Sequence, residues 1–262
     1  MNVSHTVPND AARTVLVTGG TDGIGHEIAR LYAARGDRVI ATGRHVPGGV
    51  PSSAPGSTPS AGRQAIEGVR YRAVDQSRPE EAAGIIAQAC RAEGGADIAI
   101  LCAGTGTLAT GGVEGADAIR QTLRVNLEAT ILIAHALAPQ LLERSGTLAL
   151  IGSVARKGFA DLPSYAASKG GLHGFARALG EEWRGRANVV MLHPGPTRTG
   201  MQDKAGLDVS RIAWAFLSPA LVARMVVARI EAADGKHRPV LATLAHGAGL
   251  RHGLLERTGF GR

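Results

Sequence analysis

Short β-branched runs recur along the chain, each followed by a stretch with the length and composition of a helix. This alternation restricts the fold more than any other feature. TVLVT at 14–18, RVIAT at 38–42, DIAILC at 97–102 and the runs at 147–151 and 188–192 have the length and apolar content of fully buried strands. Residues 69–74 and 239–244 supply two more. Helices are expected over 25–35, 79–93, 117–143, 165–183 and 219–232. Strands joined through helices must lie parallel, because only a right-handed crossover returns the chain to the same edge of the sheet. The expectation is an α/β fold: a doubly wound parallel sheet of about seven strands with helices on both faces.

The turn after the first run reads TGGTDGIG, residues 18–25. Between a strand and a helix, such glycines let the backbone approach a pyrophosphate. The helix N-terminus there offers unsatisfied N–H groups and a positive dipole end. In the first strand–helix turn of an alternating chain, this is the signature of a Rossmann-type domain.

Composition sets limits. With 262 residues there is room for one large domain and a sizeable core. Aromatic residues make up only 3%, so that core is built from Ala, Val, Leu and Ile. The net charge of +7 invites a nucleic-acid reading, but the arginines are scattered and no basic run of five or six occurs. A general positive field serves a phosphate-bearing cofactor equally well. Cys90 and Cys102 form neither a metal pattern nor a disulfide framework. The first residues lack the apolar segment of a signal peptide. The longest apolar stretch, 130–142, contains His135 and Pro139, so no membrane span is expected. These features point to a cytoplasmic protein without nucleic-acid or membrane partners.

The candidate chemistry lies in SVARKGFADLPSYAASK, residues 153–169. Tyr165 and Lys169 are i and i+4, on one face of a helix. A free tyrosine ionises near pH 10, and an adjacent cation lowers that by roughly 1–3 units, toward a working acid/base. Ser153, at a strand end, is placed to donate to a carbonyl oxygen.

Taken together, the TGxxxGxG pattern of 18–25 and Tyr165-x-x-x-Lys169 with its upstream serine resemble the short-chain dehydrogenase/reductase family. Further matches follow in order: Asp75 after strand three, Cys102-Ala103-Gly104 after strand four, Asn126 in RVNLEAT, and IGSVA at 151–155. Pro194-Gly195 with Thr199 after strand six completes them. The resemblance spans about residues 13–244. It implies an oxidoreductase that interconverts a carbonyl and an alcohol. Tyr165 would be the general acid/base, Lys169 would lower its pKa and bind the nicotinamide ribose, and Ser153 would orient the substrate. Asn126 would hold a water in a proton relay. Gly19, Thr21, Asp22, Gly23, Ile24 and Gly25 would surround the cofactor's phosphates and adenosine ribose. Asp75 would lie beside the adenine. Ala103 and Gly104 would line the same cleft, as would Pro194 and Gly195. Thr197 and Thr199 would contact the carboxamide and pyrophosphate.

Strand two ends in Thr42, Gly43 and Arg44, with no carboxylate to bind both ribose hydroxyls. Gly43 leaves room for a 2′-phosphate and Arg44 offers a fork for it, so NADP(H) is expected over NAD(H). Asp22 would repel that phosphate if it pointed inward, but its place near the helix N-terminus suits a carboxylate. Small residues Ala166, Gly170, Gly174 and Ala178 form an i+4 stripe suited to helix pairing. Together with the family's habit, this gives a homodimer or homotetramer.

Three departures from the family pattern keep a second reading open, that of a cofactor-binding regulatory or scaffold protein with little turnover. The Ser153–Tyr165 interval is one residue short, and Gly152 holds the nominal position of the serine. Cys102 replaces an asparagine. Residues 45–62, rich in Pro, Gly and Ser, form an insertion where no helix is expected. Residues 200–218 occupy the place of a substrate loop. Ile212, Trp214 and Phe216 there, with Phe159, hint at an apolar substrate. Tails at 1–12 and 245–262 flank the domain.

Overall fold

The computed structural model describes residues 12–48, 60–199, 216–233 and 240–244. Strand β1 (Thr14–Thr18) leads into helix α1 (Gly23–Ala33), and β2 (Arg38–Gly43) is followed by β3 (Val69–Ala73) and α2 (Pro79–Ala92). Then come β4 (Ile98–Leu101), α3 (Ala116–Leu123), α4 (Ala129–Glu143), β5 (Thr147–Ile151) and α5 (Pro163–Glu182). Strand β6 (Asn188–Pro194), α6 (Pro219–Ala233) and β7 (Val240–Leu244) close the domain. The sheet is parallel throughout, in the order β3-β2-β1-β4-β5-β6-β7. Strand order reverses between β1 and β4, and a crevice opens there outside the strands' carboxyl ends.

The strands are hydrophobic on both faces because both are covered. Leu16, Leu101, Leu148 and Met191 pack with Ile86 of α2, Ile133 and Leu137 of α4 and Leu172 of α5. On the other side Val17, Ile100, Val190 and Leu192 meet Ile28 of α1 and Val226 and Ile230 of α6.

Helix boundaries shift from the expected ones for local reasons. Helix α1 starts at Gly23, because the Asp22 carboxylate accepts from the Gly23 amide at 2.7 Å and caps it. Helix α5 starts at Pro163, whose fixed φ and missing N–H suit a first helical position. The helix expected over 117–143 is interrupted by a π-turn, Arg124–Glu128, centred on buried Asn126. Residues 116–143 are long and apolar enough to cross a membrane by length and composition, contrary to expectation. Here Ile133, Leu137 and Leu141 are fully buried in the core instead.

Within the 45–62 insertion, Pro47–Gly48 and Ser60–Gln64 pair as a short parallel ladder. Ile212 and Trp214, most of the 200–218 loop and the 245–262 tail fall outside the described residues.

Candidate active site

The glycine turn is shaped by close contacts. Gly19 has φ +65°, and a Cβ there would come within 2.9 Å of the Ala103 Cα. A Cβ on Gly25 would collide with the Gly19 carbonyl oxygen. Backbone from β1 and β4 therefore packs directly against the start of α1. The Thr18 hydroxyl joins the two strands by accepting from the Cys102 amide at 3.1 Å and the Ala103 amide at 3.2 Å. That fixes the end of β4 without the asparagine that the family pattern leads one to expect at 102.

One cleft runs across the carboxyl ends of the strands. Gly19, Thr21, Asp22, Gly23, Ile24 and Gly25 border it from the glycine turn. Arg44 borders it from β2, Asp75 from β3, Ala103 and Gly104 from β4, and Thr199 from beyond β6. Thr199 lies over the turn: a Cβ on Gly23 would meet its Cγ2 at 3.2 Å. Pro194, Gly195 and Thr197 do not line this cleft. The Thr197 hydroxyl donates to the Gly195 carbonyl at 2.9 Å, and Thr197 bridges to Leu217.

Gly43 has a different explanation from the one its sequence context suggests. The space of its missing side chain is filled by Thr21, whose Cγ2 would lie 2.9 Å from a Cβ there. Gly43 thus seats Thr21 and itself borders the cleft beside Arg44. Arg44 is exposed at the cleft mouth, and no carboxylate follows it on β2. Of the two carboxylates in the cleft, Asp22 caps α1 and Asp75 accepts from the Ser77 amide at 2.9 Å.

Ser153, Tyr165 and Lys169 gather where β5 ends against α5. The Ser153 oxygen accepts from the Ala155 amide at 3.1 Å, and its hydroxyl hydrogen-bonds the Tyr165 phenol. The Lys169 ammonium donates to the Ile151 carbonyl at 3.0 Å and lies 5.7 Å from the centre of the Tyr165 ring. A Cβ on Gly106 would touch the Tyr165 ring at 3.3 Å, so the loop after β4 packs closely on the phenol.

The electrostatics depart from expectation. Burial raises the Tyr165 phenol above its ordinary value, the Ser153 hydrogen bond pulls it down, and the Cys102 thiol raises it further. Desolvation pushes Lys169 itself down to about 8. Burial also pushes Cys102 up to about 11, which leaves it a neutral thiol.

Asn126 is held on several sides. Its amide oxygen accepts from the Thr105 amide at 2.8 Å. Its Nδ2 donates to the Thr105 carbonyl at 2.8 Å and the Ser168 hydroxyl at 3.1 Å. Its backbone carbonyl accepts from the Thr130 hydroxyl at 3.0 Å. The side chain locks the loop after β4 to α5.

Several residues of the cleft were not singled out from the sequence: His45, Gln76, Thr105, Gly106, Gln121 and Val125. Gln121 and Val125 stand one turn apart just before Asn126, which was the available signal. The π-turn that re-aims them leaves no mark in residue spacing. The donor set fits a pyridine dinucleotide: first-turn amides of α1 without helical acceptors, a crevice at the strand-order reversal, and Arg44 at its rim.

The comparisons agree with this geometry. Residues 13–209 match the family described as short chain dehydrogenase. The Escherichia coli oxidoreductase YciK is 32% identical over 197 residues, covering 74% of this chain and 77% of that one. Galactitol 2-dehydrogenase (L-tagatose-forming) of Cereibacter sphaeroides is 33% identical, with 72% of each chain covered. A short-chain dehydrogenase from Shigella flexneri, solved with NADP, superposes with a TM-score of 0.70 at 25% identity, over 88% of this chain and 95% of that one. With that glycine turn, that cluster at the end of β5 and these relatives, the chain belongs to the short-chain dehydrogenase family.

Proposed function

We propose that this oxidoreductase uses NADP(H) to interconvert a small-molecule carbonyl and its alcohol, with Tyr165 as general acid/base. The observation that carries the reading is the meeting of Ser153, Tyr165 and Lys169 beside a cleft whose β2 end presents Arg44 and no carboxylate.

The cofactor, when bound, supplies the hydride for reduction and takes it back in oxidation. The chain's own residues manage the oxygen. Ser153 donates a hydrogen bond to the carbonyl oxygen and holds it near the phenol. Tyr165 delivers its proton to that oxygen as charge develops there, and retrieves it in the reverse direction. Lys169, anchored on Ile151, keeps a positive charge 5.7 Å from the phenol ring that favours the phenolate left behind. Asn126 holds the loop after β4 in place. Thr21, the first-turn amides of Ile24 and Gly25, and Thr199 would hold the phosphates, and Asp75 would lie beside the adenine.

Phe159 after Ser153 supports an apolar substrate. The stripe on α5 leaves Gly174 and Ala178 exposed, with open space over Gly174, which supports a homo-oligomer built on that helix. Steady-state kinetics on a panel of ketones and aldehydes with NADPH and NADH test the reading. Turnover with kcat/KM at least tenfold higher for NADPH is expected. Equal or better kcat/KM with NADH overturns the cofactor assignment.

A further inference from the structure

A second titratable cluster lies directly beneath the serine. His193, on β6, is 1% exposed, and its Nε2 stands 3.0 Å from Nδ1 of His173 on α5. The two rings are 5.0 Å apart between centres and inclined at 47°. His173 is half-buried and reaches the surface. The other edge of His193 abuts Gly152. A Cβ built on Gly152 would collide with the His193 Nδ1 and lie 2.7 Å from its Cε1 and 2.6 Å from the Met191 Cε. Gly152 cannot retreat, because its amide donates to the Leu192 carbonyl at 2.7 Å and the preceding carbonyl is held by Lys169.

We propose that His193, steadied by His173, is a positioning residue. Its ring takes the space that a side chain at 152 would need, so the substrate-orienting hydroxyl is presented from Ser153. The inference rests on the proposed role of Ser153, and it accounts for the Ser–Tyr interval being one residue short.

The surroundings favour a neutral pair. The charged groups facing His193 are Arg156 on the turn after Ser153 and Lys169 on α5, while Arg156 and Arg177 face His173. All are cationic, and with burial they hold His193 down to about 4. Near neutrality the rings share one proton across the 3.0 Å contact.

The test reads Tyr165 ionisation, because the Ser153 hydroxyl lowers it. In protein labelled with [13C]tyrosine, the Tyr165 resonance is assigned by its loss in Tyr165→Phe and titrated in the folded protein. Ser153→Ala should move its midpoint upward. His193→Ala should move it upward as well, and Ser153→Ala/His193→Ala should move it no further than Ser153→Ala alone. On a substrate that is turned over, His193→Ala should lower kcat at least tenfold in wild type and by less than twofold in Ser153→Ala. Thermal melts establish that each variant is folded. A wild-type midpoint in a folded His193→Ala protein overturns the proposal. So does an upward shift equally large with and without Ser153. The titration needs no turnover, so a failure to reduce any carbonyl strikes the functional reading and leaves this one to be judged by the midpoints.

Discussion

Lys169 sits one helical turn beyond Tyr165 yet bonds elsewhere: its ammonium donates to the Ile151 carbonyl at 3.0 Å and lies 5.7 Å from the Tyr165 ring centre. The hydroxyl of Ser153, not the lysine, makes the hydrogen bond that lowers the phenol. The lysine thus serves two partners at once, a strand end and a ring, and both depend on its being charged.

Tyr165→Phe should remove nearly all turnover, by about 10²–10⁴-fold in kcat, since a positioned acid/base is worth that much. The ring and its contact with Gly106 remain, so the dissociation constant for NADPH should change by less than about twofold. Retention of more than a tenth of the wild-type rate, measured at saturating cofactor, would show that the proton comes from another group.

Lys169 titrates near 8 rather than 10.5, so its charge is lost as pH rises through about 8. For reduction, kcat/KM should fall above that pH. Stability should move the other way. Between about 8 and 10.5 the unfolded chain binds a proton that the folded chain has released, so unfolding becomes harder as pH rises. Lys169→Met should therefore melt higher than wild type at pH 7, by on the order of 3 kcal/mol at most, while losing activity. The difference should shrink toward pH 10.5. A gap in melting temperature that stays constant across that range would contradict the assignment.

Arg44→Ala should weaken NADPH binding about ten- to a hundredfold, the loss of one charge-assisted contact, and leave NADH within about twofold. Titration calorimetry with both cofactors checks this. Equal losses for the two would mean that Arg44 stacks on the adenine and does not read a 2′-phosphate.

Glu114 caps the helix that carries Tyr165 from outside it: its carboxylate accepts from the Ser164 amide at 2.9 Å and the Ser164 hydroxyl at 2.7 Å. The same loop is pinned again where the Ala109 amide donates to the Asp161 carbonyl at 3.1 Å. Glu114→Ala should cost about 1–2 kcal/mol, read as a Tm lower by roughly 2–8 °C. Glu114→Gln, which keeps the acceptor, should recover about half. Differential scanning calorimetry of the two variants distinguishes a cap from a bystander carboxylate.

The strand positions, the order of helices and the glycine turn were legible in the chain itself. They rest on local periodicity and on turn chemistry that acts within a few residues: TVLVT needs only its own β-branched side chains to read as a buried strand, and Asp22 needs only its neighbour Gly23 to cap a helix. Tyr165 and Lys169 were legible for the same reason, because four residues of helix bring them to one face. What the sequence could not determine depends on contacts between segments far apart in the chain. Gly43 reads as an open space until Thr21, 22 residues earlier, is seen to fill it. The partners of the Asn126 amide, Thr105 and Ser168, lie 21 and 42 residues away in the chain. Lys169 reads as an ordinary cation until burial is found to push it down to about 8. The one-residue displacement of the serine has no visible cause in the chain until His193, from another strand, is found occupying the space over Gly152. Spacing along a chain records which residues share a face, but desolvation and close packing depend on what the rest of the chain brings against that face, and only the tertiary structure decides that.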